Sequence, residues 1–233
     1  MARSAYCLVR HALAGAILAA GLALAPSAGA QVPPTASEIA AYQGLHAAAA
    51  RGDTAALQRL LAGRPDVNAR DAHGRTPLHV ATFARQREAV RLLAQAGAAL
   101  DLLENDRYDA VTIAAVADDE DTLRLLLQLG ASAKQVTSRY DGTALIAAAH
   151  LGHAGVVRQL IAAGAPLNHV NNLHWTALIE SIVLGDGGAR HQATLQALLE
   201  AGASTQLADR QGTTPLQLAR QRGYDTMAKR LVA

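Results

Sequence analysis

DAHGRTPLHVATFARQREAVRLLAQAGA, residues 71–98, is the stretch whose reading decides the fold. It opens on Asp71 and Gly74, passes through Thr76-Pro77-Leu78-His79 into two short apolar runs, and stops at Gly97-Ala98. Each run suits a helix of about eight to ten residues, below the roughly 12–15 at which an isolated helix becomes marginally stable. Such a stretch needs neighbours of its own kind, and the chain supplies them. With Thr76 as a ruler mark, equivalent positions fall at Gln43, Thr76, Asp109, Thr143, Thr176 and Thr214, with spacings of 33, 33, 34, 33 and 38.

The register holds at every level. Two residues after the mark come Leu45, Leu78, Val111, Leu145, Leu178 and Leu216, and five after it Ala48, Ala81, Ala114, Ala148, Ser181 and Ala219. Nine after it, Gly stands at Gly52, Gly152, Gly185 and Gly223, with Arg85 and Asp118 as departures. A leucine recurs in the second run at Leu60, Leu93, Leu126, Leu160, Leu198 and Leu231. Gly-Ala closes the unit at 97–98, 130–131, 164–165 and 202–203. The longer fifth spacing places five extra residues near Gly185-Asp-Gly-Gly188, read as an insertion in a surface loop.

This pattern resembles the ankyrin repeat family over about residues 38–233. Thr-Pro-Leu-His stands intact at 76–79 and recurs as Thr214-Pro215-Leu216-Gln217. A 33-residue period carrying this tetrapeptide is a specific signature. The resemblance implies an all-α repeat solenoid of about six units, near 38–70, 71–103, 104–137, 138–170, 171–208 and 209–233. Each unit would be a β-turn finger followed by two antiparallel helices, stacked into a curved array. It also implies that His46 and His79 bond backbone across the turn between units, a structural role. Individual residues agree on physical grounds. Asp71-x-x-Gly74 and Asp209-x-x-Gly212 have tight-turn chemistry, Pro77 and Pro215 suit a first helical turn, and Gly152 and its equivalents permit a sharp turn between helices. The first unit (Gln43-Gly44, then Arg51-Gly52-Asp53) and the last (Lys229, Arg230) read as caps.

The beginning of the chain has different grammar. Arg3 and Arg10 precede an unbroken apolar run from Ala12 to Ala25, and Ala28-Gly29-Ala30 supplies a small-x-small site. This predicts a cleavable signal peptide over 1–30. The run would span about 21 Å as a helix, short of the roughly 30 Å hydrocarbon core. Residues 31–37 read as a linker, with a Thr35-x-x-Glu38 capping box opening the first helix. The single cysteine, Cys7, lies in the leader, so no disulfide or thiol chemistry is expected afterwards. Heavy use of Ala and Arg, with lysine only at Lys134 and Lys229, points to a GC-rich bacterial gene. The expected location is the periplasm, with release from the cell as the alternative. Lys+Arg number 21 and Asp+Glu 19, and loss of Arg3 and Arg10 would balance them. No nucleic-acid partner and no membrane insertion after leader removal are expected, and the protein reads as a monomer.

No catalytic motif stands out, and no cofactor or metal is expected. There is no nucleophile elbow, His-Glu-x-x-His or phosphate loop. His150-x-x-His153 has no third ligand beside it, as a stable zinc site requires. A metal-dependent enzyme using His150, His153 and His191 is the weakest of three readings. Asp118-Asp-Glu-Asp121 lacks the EF-hand spacing and falls where a helix N-terminus favours acidic residues.

The informative positions share one surface. Finger tips and the outward side of each first helix would line the concave face. On that face the ruler places Arg75, Arg107, Tyr108, Arg139, Tyr140, His174 and Trp175 at the tips. It places Phe83, Val116, His150, Leu151, Val183 and Leu184 on the helices. Four of the six aromatics after the leader (Phe83, Tyr108, Tyr140 and Trp175) fall there. Exposed rings beside arginines are the makings of a protein-binding hot spot; the structural alternative is rings packed between adjacent fingers. The expectation is a non-catalytic module that binds another protein, serving to stabilise or localise a periplasmic enzyme. The alternative is a secreted effector or immunity-type protein acting on a foreign target.

Overall fold

The computed structural model describes residues 31–232. The leader expected at 1–30 lies outside the described residues. Thirteen helices and one short hairpin make up the described chain. In order they are α1 (Ala36–Ala41), α2 (Gly44–Arg51), α3 (Thr54–Ala62), α4 (Pro77–Phe83), α5 (Arg87–Gln95), α6 (Ala110–Val116), α7 (Glu120–Gln128), β1 (Val136–Thr137), β2 (Gly142–Thr143), α8 (Ala144–His150), α9 (Ala154–Ala162), α10 (Ala177–Val183), α11 (Ala189–Glu200), α12 (Pro215–Gln221) and α13 (Asp225–Val232).

The ruler mark is the residue before each first helix, and in five units its side chain caps that helix. Thr76, Asp109, Thr143, Thr176 and Thr214 each accept a hydrogen bond from the backbone N–H three residues on. Such a cap satisfies a donor the helix cannot. Gln43, in the first unit, makes no such bond; α1 lies against α2 instead. Helix α1 starts from Thr35, whose capping box with Glu38 forms as the sequence suggests.

First helices α2, α4, α6, α8, α10 and α12 pack in one row, and second helices α3, α5, α7, α9, α11 and α13 in another. The fold is the expected all-α repeat solenoid. Its core is a strip of Leu, Val, Ile and Ala running the length of the stack. Leu78, Val111, Leu145 and Leu178 are buried, as are Ala81, Ala114, Ala148 and Ala219 beside them. Small alanines at that position let neighbouring helices approach closely, which explains how so few aromatics suffice. First helices run seven or eight residues, a little shorter than expected, because the cap and the tight turn consume the rest.

Three expectations need correction. Leu60, in register with the buried Leu93, Leu126, Leu160 and Leu198, is 38% exposed; among the described residues α3 is the first of the second-helix row. Gly185 was expected to make the turn between helices in the fifth unit. The left-handed residue there is Gly187, at φ 70°, because the loop has lengthened to residues 184–188 and α11 to 12 residues, against 9 in α9. Arg75 was expected exposed at a finger tip, and it is buried, with 2% of its surface accessible.

Candidate partner-binding face

Fingers stand on the first-helix row and are tied into a continuous edge. His73 O accepts from Asn105 N at 3.0 Å, Arg107 O from Ser138 N at 2.8 Å, and Tyr140 O from Asn172 N at 3.0 Å. Histidines reinforce the stack from below. His46 Nε2 meets Arg75 O at 2.9 Å, one unit ahead, and His79 Nε2 meets Leu102 O at 2.9 Å, at the end of its own unit where the next begins. Burial holds His79 down to about 4, so it serves as a neutral hydrogen-bonding ring. The implied structural role of both histidines is what the geometry shows.

Burial of Arg75 has a local cause. Its Nε donates to Asp71 Oδ2 at 2.8 Å, a second guanidinium nitrogen bonds Glu38 of α1, and Tyr42 donates to the same Asp71 oxygen at 2.7 Å. The side chain therefore fastens the N-terminal helix to the second finger and is withdrawn from any partner. Thr35 and then Arg75 hold the Glu38 carboxyl down to about 2.

The other expected site residues vary in exposure. Arg107, Arg139 and His174 are exposed at the tips, while Tyr108, Tyr140 and Trp175 are half-buried. Trp175 rests partly on the core. Arg107 reaches Asp141 at 3.2 Å and Arg139 reaches Asp106 at 3.7 Å, pairing the third and fourth fingers. Such exposed pairs add little stability. Phe83, Val116, His150 and Val183 are half-buried in the helix row, and Leu151 and Leu184 are each 36% exposed. Phe83 lines a small open cleft with Val80 and Ala84, and the chain's own Pro33 and Pro34 form part of its wall. That end of the face is partly occupied by the N-terminal segment.

Two of the three histidines named for the enzyme reading are committed to backbone. His153 Nδ1 meets Ala115 O at 2.9 Å, and His191 Nε2 meets His150 O at 2.9 Å while its Nδ1 meets Asp186 at 2.8 Å. Among the described residues no three potential ligands gather around a metal position, and no helix is long and apolar enough to cross a membrane.

One group on this face escaped the reading of the sequence. Glu180, on α10, is 5% exposed. Asn171 Nδ2 donates to its Oε1 at 2.9 Å, and its Oε2 lies 3.7 Å from His150 Nδ1. Burial raises the carboxyl to about 7, opposed by the Asn171 amide, and burial together with His191 and His153 lowers the His150 imidazole. The contact is thus not a firm ion pair near neutrality. The ruler holds the signal that was missed: four residues after the mark, the other units carry Ala47, Val80, Ile113, Ala147 and Leu218.

Comparison with known proteins agrees with the geometry. The family profile described as ankyrin repeats (3 copies) matches residues 45–137 and 112–209. The ankyrin repeat protein YahD of Escherichia coli (strain K12) is 37% identical over 187 residues, covering 80% of this chain and 92% of YahD. An ankyrin repeat domain from Acinetobacter baumannii superposes with a TM-score of 0.77 at 45% identity, covering 81% of this chain and 95% of that one. A chain in the complex of a predatory endopeptidase with an immunity protein, from Bdellovibrio bacteriovorus, matches with a TM-score of 0.70 at 27% identity, covering 82% and 97%. Capped helix pairs at a 33-residue period, histidines bonded to the backbone at the unit junctions and these similarities together place the chain in the ankyrin repeat family.

Proposed function

We propose that this protein is an exported, non-catalytic module that binds another protein through the inner face and finger tips of its second to fifth units, and so stabilises or localises a periplasmic enzyme. Ankyrin repeats are protein–protein interaction modules. The observation that carries the finer reading is the row of exposed or half-exposed apolar side chains on one face: Val116, Leu151, Val183, Leu184 and the ring of Trp175. Trp175 and Val183 also rest on the core, whereas Leu151 and Leu184 are left exposed; apolar side chains beside arginine-bearing tips suit a hot spot. Export rests on the tripartite sequence of residues 1–30.

A second reading has support of its own. The Bdellovibrio match comes from a complex of an endopeptidase with an immunity protein, which favours an immunity-type role in which this chain occupies a hydrolase. Affinity purification from the periplasm of the native host, with wild type and Trp175→Ala run side by side, tests the face. The variant is expected to keep its melting temperature within a few degrees and to weaken the captured complex by about 1–2 kcal/mol. Equal capture by both proteins would remove Trp175 from the interface. Cell fractionation separates periplasmic retention from release into the medium.

A further inference from the structure

We infer that the inner face carries, between α8 and α10, a seat for a basic side chain of the partner, with the Glu180 carboxylate at its floor and Leu151 and Leu184 at its rim. This rests on the protein-binding reading above and names the chemistry the partner must bring.

The fold does not ask for a carboxylate here. Five equivalent positions are filled by Ala47, Val80, Ile113, Ala147 and Leu218. A structural explanation would have Glu180 orient Asn171, which accepts hydrogen bonds from Leu173 N and Trp175 N, both at 3.0 Å, and so shapes the fifth finger. Yet Asp71 and Asp209 make the same two bonds in the second and sixth fingers, opposite apolar Val80 and Leu218. Asn171 would hold its finger unaided. The dependence runs the other way: an aspartate at 171 would set two carboxylates face to face, and the amide supplies the donor that Glu180 Oε1 uses.

That leaves Oε2. Its polar neighbour is His150 Nδ1 at 3.7 Å, beyond hydrogen-bond length. Among the described residues no lysine or arginine pairs with Glu180. A buried carboxylate without a cation is destabilising, and a cation brought from outside would relieve it through a charge-assisted bond. The rim fits the stem of such a side chain. Leu184 follows Glu180 by one helical turn and caps the end of α10, and Leu151 holds the same place at the end of α8. Both are exposed. Lysine and arginine lay their methylenes on apolar surface while the charged head seeks a partner.

A peptide library displayed on phage and panned against the purified protein tests the seat. Selected peptides are expected to share an arginine or lysine at one fixed position. The Glu180→Gln variant keeps the acceptor for Asn171 but removes the charge, and should weaken binding by roughly 30-fold. Replacing the peptide's basic residue with glutamine should cost about as much, and the two changes together little more than either alone. The seat is wrong if selected peptides lose affinity for Leu184→Ser but bind Glu180→Gln as they bind wild type; the inner face then survives as the binding surface. Peptides indifferent to both variants would remove the inner face as well. A selection that yields no basic position, or no binder, also overturns the seat.

Discussion

The second and fifth units are built on the same frame and treat their polar residues in opposite ways. In the second, Arg75 is buried but matched, with Asp71 and Glu38 on its guanidinium and Tyr42 on Asp71. Every charge has a partner inside the chain, and the result fastens α1 to the stack. In the fifth, the equivalent of Arg75 is Trp175, half-buried, and a carboxylate sits where the second unit has Val80. The loop between its helices is longer. One unit spends its polarity on holding the solenoid closed at its N-terminal end. The other leaves a charge unmatched and a ring partly bare on the inner face. Natural proteins commonly give up stability at functional sites, and the partner-binding role proposed for the fifth unit would be such a trade.

The sharpest way to break the comparison is to unmatch the second unit. Arg75→Met would leave Asp71 and Glu38 facing each other without a cation. Removing one partner of a buried pair is strongly destabilising, so a loss of about 4 kcal/mol is expected in denaturant unfolding. A loss below about 1 kcal/mol would mean that the network contributes little. The shared frame should behave alike wherever it is cut. Leu145→Ala, with Leu78→Ala and Leu178→Ala at the same place in the second and fifth units, should each cost about 3 kcal/mol through a core cavity. All three leucines are buried. Unequal losses, or a wild-type melting temperature for Leu145→Ala, would break the register on which the unit comparison rests.

Glu180→Gln reads the opposite sign in the fifth unit. Its folded carboxyl is raised to about 7 from an ordinary 4.5, so the folded state keeps its proton after the unfolded chain has lost it. The stability this group gives the protein is complete below about 4.5 and falls as pH climbs toward 7. Glutamine does not titrate. The variant should therefore match or trail wild type at pH 4 and exceed it by about 2 kcal/mol at pH 8. His79, held down to about 4 by burial, slopes the other way between there and its ordinary 6.5. The difference between variant and wild type, measured by thermal unfolding across pH, isolates Glu180. A difference that does not change with pH would show that the carboxylate is already matched.

Most of the frame was legible because it repeats. Period, caps, turn residues and the core leucines each recur, and a residue seen in register several times identifies itself. What escaped was whatever a single unit does differently. Arg75 looked like an exposed tip residue because finger positions are usually solvated; only the fold brings Glu38 and Asp71 to either side of it. Leu60 matched the core pattern, but burial depends on which helices pack over it, and Leu60 is left exposed. Glu180 was visible as an outlier in its column, yet a lone glutamate on a first helix reads as a surface residue until the column is recognised as buried. Which inner-face side chains touch a partner depends on that partner's shape, which this sequence does not encode.

The smallest effect concerns the turns between paired helices. In the second unit Arg85 takes the left-handed conformation at φ 55°, where the fifth unit uses Gly187 at φ 70°. A side chain in that region costs about 1 kcal/mol, so Arg85→Gly relieves strain. Two terms oppose it: glycine gives the unfolded chain more freedom, by about 0.5 kcal/mol, and the exposed bond from Arg85 Nη2 to Ala117 O at 2.7 Å is lost. The net should be a gain of a few tenths of a kcal/mol, read as a rise of about 1–2 °C in melting temperature. Gly187→Ala should not mirror it, because an added Cβ would meet the ring of Tyr224 within 2.5 Å. That substitution should lower the melting temperature instead. If both variants were neutral, the two turns would be interchangeable, and the longer loop of the fifth unit would owe nothing to its glycine.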